Sequence, residues 1–120
     1  MRPMNEKNPF ADVPQIDPKS AREMWERGEV DVVDVREQQE WDLGHIEGVR
    51  LIPMGQLPWR WREFDPGRKL ICVCRSGNRS NYAAALLREV GIDAANMSGG
   101  MLEWKADGSP ITAPGIVEQR

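Results

Sequence analysis

The chain has 120 residues, 40% of them apolar and 29% charged, which fits one globular domain and excludes two ordinary ones. No stretch is apolar enough to span a membrane, the first eleven residues lack a secretory signal, and two cysteines make no disulfide framework, so we expect a cytoplasmic protein. The net charge of −3 argues against a nucleic-acid partner.

The first half of the chain predicts helices that alternate with strands. Residues 17–28 should begin a helix at Asp17, a good N-cap that is followed by a proline, and end it at Gly28. The β-branched run at 30–35 predicts a strand. A short helix at 37–43 and a short strand at 49–52 complete this half.

The second half continues the alternation. Residues 54–66 carry aromatic side chains among arginines and indicate no single element, whereas the apolar run 70–74 is typical of a central strand buried on both faces. A turn leads into a helix at 79–89, and a last strand at 94–97 precedes a short helix at 100–106. The expected buried stripe of the longest helix is Ala83, Leu86, Leu87 and Val90.

This alternation predicts an α/β fold, a small three-layer domain with a central, mainly parallel β-sheet flanked by helices. We assign the domain to residues 12–110, with 1–11 and 111–120 as loosely attached termini. We expect a monomer.

The segment after the central strand joins Cys74 directly to a helix. Ligands of parallel sheets bind at the carboxyl ends of strands, where turn amides and the helix N-terminus favour an anion. The same field lowers a thiol pKa, so Cys74 is the candidate nucleophile. Gly77 would allow the tight turn. The candidate substrate-binding residues are Arg75, Ser76, Gly77, Asn78 and Arg79.

Charge is distributed unevenly along the chain. Residues 1–49 hold six basic and twelve acidic side chains, whereas residues 58–80 hold six basic and two acidic ones. Both cysteines lie in the basic segment. The basic segment is either an ordinary solvated face or the source of a positive field that attracts a small anion to the thiol.

The pattern Cys-x-x-Gly-x-Arg between strand and helix resembles the active-site loop of the rhodanese family of sulfurtransferases. Further matches span roughly residues 12–110; they are Asp34-Val-Arg36-Glu37, Glu40, Gly44-His45-Ile46-Glu47-Gly48, Ile52-Pro53, Gly99-Gly100, Trp104 and Gly108-Ser109-Pro110.

The resemblance implies a rhodanese-like fold and a thiosulfate sulfurtransferase. Cys74 would take a sulfane sulfur from a small anionic donor such as thiosulfate, become a persulfide, and pass the sulfur to a thiol or cyanide. No cofactor is expected. No metal is expected either, because Cys72, Cys74 and His45 do not fill a zinc site. The family likeness makes His45 structural, and Cys72 is expected to pack in the core.

Two other functions are alternatives to sulfur transfer. Phosphatases and arsenate reductases use a similar loop with five residues between Cys and Arg, whereas here there are four, and Val73 replaces the histidine common in tyrosine phosphatases. These two differences argue against phosphatase or arsenate reductase activity. A sulfur-carrier or regulatory module that acts on a protein partner stays open, and a protein sulfur acceptor is one expected partner.

Overall fold

Five strands form one parallel sheet in the computed structural model, which describes residues 12–113. The strand order is β1-β5-β4-β2-β3, so β4 lies in the middle. The predicted α/β fold with a central parallel sheet is confirmed; β1 was not predicted, because two residues carry no alternation pattern. The strands are β1 (Gln15–Ile16), β2 (Asp31–Asp34), β3 (Arg50–Leu51), β4 (Leu70–Val73) and β5 (Ala94–Met97).

In the described part of the chain, four α-helices connect these strands and a fifth follows β5. They are α1 (Pro18–Glu26), α2 (Gln38–Asp42), α3 (Leu57–Arg60), α4 (Asn78–Glu89) and α5 (Gly100–Ala106). The segment that the sequence left unassigned forms α3 between two short 3₁₀ turns. Within residues 12–113, no helix combines the length and apolar character needed to cross a bilayer.

Alternation along β4 divides the interior into two layers. Leu70, Cys72 and Cys74 pack in the cluster that includes α3 and α4. Ile71 and Val73 point to the opposite face, in the cluster that includes α1 and α5. A central strand that is apolar on both faces therefore supports helices on both sides of the sheet, which is the predicted three-layer arrangement.

The buried face of α4 differs from the predicted stripe. Leu86 is 38% exposed and Val90 is 44% exposed, so these two assignments were wrong. Small side chains let the helix approach the sheet closely, and they centre its inner face one turn earlier than the larger apolar residues suggested. The buried residues of α4 are Ser80, Ala83, Ala84, Ala85 and Leu87.

A buried ion pair fixes the segment after β2. The guanidinium of Arg36 binds the carboxylate of Asp34 at 2.8 Å and donates a second bond of 2.8 Å to the carbonyl of Gly44. Both charged side chains are almost fully buried, so their mutual pairing is what makes the burial tolerable. The pair holds the carboxyl end of β2 against the turn that follows α2.

His45 has a structural role, as its position in the sequence block predicted. Its ring stacks on Trp41 with centroids 3.5 Å apart, and its Nδ1 lies 2.9 Å from the Trp41 carbonyl. Its backbone exchanges two hydrogen bonds of 2.8 Å with Thr112. Ordered pairing therefore extends two residues past the assigned boundary at 110, while residues 1–11 and 114–120 lie outside the described part of the chain.

Replacement of Cys72 tests the dry layer under α4. Its side chain is fully buried, so the hydroxyl of Cys72→Ser loses water without gaining space for a new partner. We expect a loss of about 1 to 3 kcal/mol in the free energy of unfolding. Urea titration measures it, with Cys72→Ala as the control that removes sulfur without adding a hydroxyl. A serine variant as stable as the alanine variant contradicts this account.

Candidate active site

The thiol of Cys74 lies at the bottom of the loop between β4 and α4. The backbone N–H of Gly77 donates to its Sγ at 3.1 Å, and the hydroxyl of Ser80 lies 3.2 Å from the same atom. Gly77 is the N-cap of α4 with a φ of 101°, a left-handed conformation that glycine adopts without strain. This turn aims the amides of Ser76, Gly77 and Ser80 at the sulfur, while the binding of an anionic substrate by the loop stays a prediction.

Hydrogen bonds to Cys74 favour its thiolate. Burial raises the pKa of Cys74, but the Ser80 hydroxyl and the backbone amides of Ser80, Gly77 and Ser76 outweigh burial and bring the pKa below its ordinary value. A lower pKa enlarges the reactive fraction at neutral pH. In contrast, burial raises the pKa of Cys72 to about 12, so that thiol stays protonated.

Helix α5 holds the other side of the same loop. The N–H of Met101 donates to the Cys74 carbonyl at 2.8 Å, and the N–H of Leu102 donates to the Arg75 carbonyl at 3.0 Å. Gly100 makes this approach feasible, because a Cβ there would lie 2.5 Å from both carbonyl oxygens. The carbonyls of Cys74 and Arg75 are thus turned towards α5.

Arg79 is held by a carboxylate. Its two terminal nitrogens each donate to the carboxylate of Glu40 at 2.6 Å, so this fork joins α4 to α2. The hydrogen bonds from Arg79 lower the pKa of Glu40 to about 2, and bonding to Glu40 raises that of Arg79, which the nearby Cys74 also favours. The predicted contact between Arg79 and a bound donor stays a prediction.

Comparison with known proteins identifies the family of this chain. The family model described as the rhodanese-like domain matches residues 17–107. A protein named sulfurtransferase from Allochromatium vinosum is 35% identical over 104 residues, which cover 85% of this chain and 97% of that protein. The chain belongs to the rhodanese-like family.

Other relatives show the fold in different settings. The crystal structure of a rhodanese-related protein from Thermoplasma volcanium superposes with a TM-score of 0.78 at 28% identity and covers 83% of this chain and 98% of that one. An HTH-type transcriptional regulator of Mycobacterium tuberculosis is 35% identical over 88 residues, but this chain spans 39% of its length. The rhodanese-like domain thus occurs both nearly alone and as part of longer proteins.

The remaining candidate residues lie at the rim of the rhodanese-like loop. Arg75, Ser76 and Asn78 are exposed around the mouth above the buried thiol. The contacts of Arg75, Ser76 and Asn78 with an anionic substrate stay predictions. Among residues 12–113, no group of three or more histidine, cysteine or acidic side chains is placed to hold a metal ion.

Sequence reasoning missed the side chains behind the thiol. The sequence assigned no role to Ser80, which follows the candidate substrate-binding residues, and it placed Glu40 only in the family pattern. Asn96 was counted as an ordinary strand residue of β5. A polar residue in the short apolar strand Ala-Ala-Asn-Met was the available signal, because a buried amide needs hydrogen-bond partners.

Gly100→Ala should damage the cysteine loop. A Cβ at this position collides with backbone atoms that no side-chain rotation can move. Left-handed strain alone costs about 1 to 2 kcal/mol, and the collision should add to this loss and raise the pKa of Cys74. Urea unfolding and the pH dependence of Cys74 alkylation measure the two effects.

Gly108→Ala is the matched control for this experiment. Gly108 has a φ of 74°, similarly left-handed, but a Cβ there would meet no atom within 4 Å. Its alanine variant should lose stability through strain alone and keep the Cys74 pKa. Equal stability losses for both variants, with an unchanged pKa in each, contradict the proposed contact.

Proposed function

We propose that this protein transfers a sulfane sulfur from thiosulfate to a thiophilic acceptor through a persulfide on Cys74. The hydrogen bonds from Gly77 and Ser80 to Sγ carry the proposal, since they favour a thiolate nucleophile at a strand end. The Cys74 thiolate attacks the outer sulfur of thiosulfate, the S–S bond of the donor breaks, and sulfite leaves with the bonding electron pair.

The second half of the reaction returns the thiolate. Cyanide or a thiolate attacks the outer sulfur of the persulfide, the new S–S bond breaks, and its electron pair returns to Cys74. Between the two steps the negative charge resides on the outer sulfur. The loop of four residues between Cys74 and Arg79 supports this assignment, because the amides of a short turn can surround one sulfur atom.

The rim charge supports an anionic donor. Arg75 is exposed beside the loop, and pairing with Arg79 neutralises the nearby carboxylate of Glu40. A thiosulfate dianion therefore approaches the guanidinium of Arg75. We propose that Arg75 attracts the donor, that Ser76, Gly77 and Asn78 offer backbone amides to it, and that Arg79 supports binding chiefly by neutralising Glu40.

Mass spectrometry after incubation with thiosulfate tests the persulfide. The intact protein should gain the mass of one sulfur atom on Cys74, and cyanide should remove it with formation of thiocyanate. Loading should accelerate as the pH rises through the Cys74 pKa, because only the thiolate attacks.

Two cysteine variants serve as controls for sulfur loading. Cys74→Ser should load no sulfur, since its hydroxyl forms no persulfide. Cys72→Ser should load normally per folded molecule, because Cys72 is a protonated core residue. An unchanged mass of the wild-type protein with an accessible Cys74 thiol, or sulfur found on Cys72, contradicts the proposal.

A double substitution separates two roles for Arg79. Arg79→Ala should lower thiosulfate turnover about ten- to a hundred-fold, more than Arg75→Ala, because it leaves the Glu40 charge unpaired near the thiolate and the donor. Adding Glu40→Gln to Arg79→Ala should restore much of that loss. No recovery in the double variant means instead that Arg79 itself contacts the donor.

A further inference from the structure

A chain of hydrogen bonds leads from the thiol to the surface through three side chains. Ser80 Oγ lies 3.2 Å from Cys74 Sγ and 2.5 Å from Asn96 Oδ1. Asn96 Nδ2 donates to Gln15 Oε1 at 2.8 Å. Ser80 and Asn96 are buried, whereas Gln15 is exposed in a polar groove of about 360 Å³ beside the loop.

The outer end of this chain fixes the orientation of both amides. Gln15 Nε2 lies 3.1 Å from the carbonyl of Val13, which can only accept a hydrogen bond. The Oε1 of Gln15 therefore faces Asn96 and accepts from its Nδ2. This leaves Oδ1 of Asn96, an acceptor, facing the hydroxyl of Ser80.

The hydroxyl of Ser80 consequently has one proton and two acceptors to which it can donate, Cys74 Sγ and Asn96 Oδ1. When Sγ carries a negative charge, the proton points to sulfur, and the oxygens of Ser80 and Asn96 face each other without a hydrogen between them. When Sγ is uncharged, as in a thiol or as the inner sulfur of a persulfide, the proton turns to Asn96. Asn96 thus stabilises the states in which the charge has left Sγ.

We propose that Asn96 is a positioning residue of sulfur transfer, which competes with Cys74 for the hydroxyl proton of Ser80 and so favours movement of the negative charge to the outer sulfur. The sulfur-transfer part of this inference rests on the proposed function. No proton is transferred in the step: the Ser80 hydroxyl only rotates as sulfite departs. Ser80 supports the thiolate, and Asn96 supports the persulfide.

Other charged and titratable groups surround the thiol from every packed element and remain unchanged in the variants below, so their effects cancel in the comparison. They are Cys72 on β4, Asp34 and Arg36 at the end of β2, Glu40 on α2, Arg75 in the loop, Arg79 on α4 and Glu103 on α5.

Opposite shifts of the thiol pKa test the competition. Asn96→Leu removes the competing acceptor and should lower the Cys74 pKa by about 0.5 to 1, whereas Ser80→Ala removes the donor and should raise it. The double variant should match Ser80→Ala, because Asn96 acts only through Ser80. The rate of Cys74 alkylation by iodoacetamide, measured from about pH 5 to 10, gives the pKa of each variant.

Two further variants keep the test decisive. Ser98→Ala lies in the same groove, where its hydroxyl bonds to the Ile16 carbonyl, and should leave the pKa unchanged. Gln15→Ala alters an exposed residue and so avoids a core change; it frees the Asn96 amide to turn its NH₂ to Ser80, which should lower the pKa in the same direction as Asn96→Leu.

The persulfide provides a separate readout. With thiosulfate and sulfite held at fixed concentrations, and at a pH above the Cys74 pKa where the unloaded protein is the thiolate, Asn96→Leu should reduce the ratio of persulfide to unloaded protein about three- to tenfold. A raised or unchanged pKa in both Asn96→Leu and Gln15→Ala overturns the inference, as does a double variant that differs from Ser80→Ala. If the pKa values shift as expected but even the wild type takes up no sulfur, the competition stands and the proposed function fails.

Discussion

Two backbone hydrogen bonds from α5 determine the orientation of the peptide groups in the cysteine loop. Met101 and Leu102 use amides that the first turn of a helix leaves unpaired, and they bind the carbonyls of Cys74 and Arg75. Since a peptide group directs its N–H opposite to its C=O, a loop whose carbonyls are held on one side has amides available on the other. The thiol, the α4 N-terminus and the proposed anion contacts all depend on this orientation.

A second set of contacts fixes the loop from the side of α2. Arg36 pairs with Asp34 at the end of β2, and Glu40 pairs with Arg79 on α4. Hydrogen bonds from Arg79 depress the pKa of Glu40 to about 2. Its contribution to stability is therefore complete at neutral pH and is lost only as the pH falls from the ordinary carboxyl range through about 2. The geometry of the loop should thus persist well into acid.

The sequence predicted those parts of the molecule that depend on local pattern. The apolar run of β4 and the strand-to-helix turn after Cys74 have strong signatures, because burial on both faces and helix capping each act on neighbouring residues. Leu86 and Val90 were misplaced because the packing of α4 depends on the sheet beneath it. Two contacts join parts of the chain that are distant in sequence, so no local pattern predicts them. They are the pairing of Arg79 with Glu40 and the contact of Ser80 with Asn96.

The two cysteines lie two residues apart, Cys72 in β4 and Cys74 directly after it, yet they differ as chemical groups. Burial raises the pKa of Cys72 to about 12, so this thiol stays protonated at neutral pH, and its side chain is fully buried. The chain has no other cysteine that could attack an oxidised or sulfur-loaded Cys74 and release its cargo as an internal disulfide. On the proposed function, a sulfur loaded onto Cys74 is therefore removed by a nucleophile from another molecule, and the supply of such nucleophiles sets the lifetime of the persulfide.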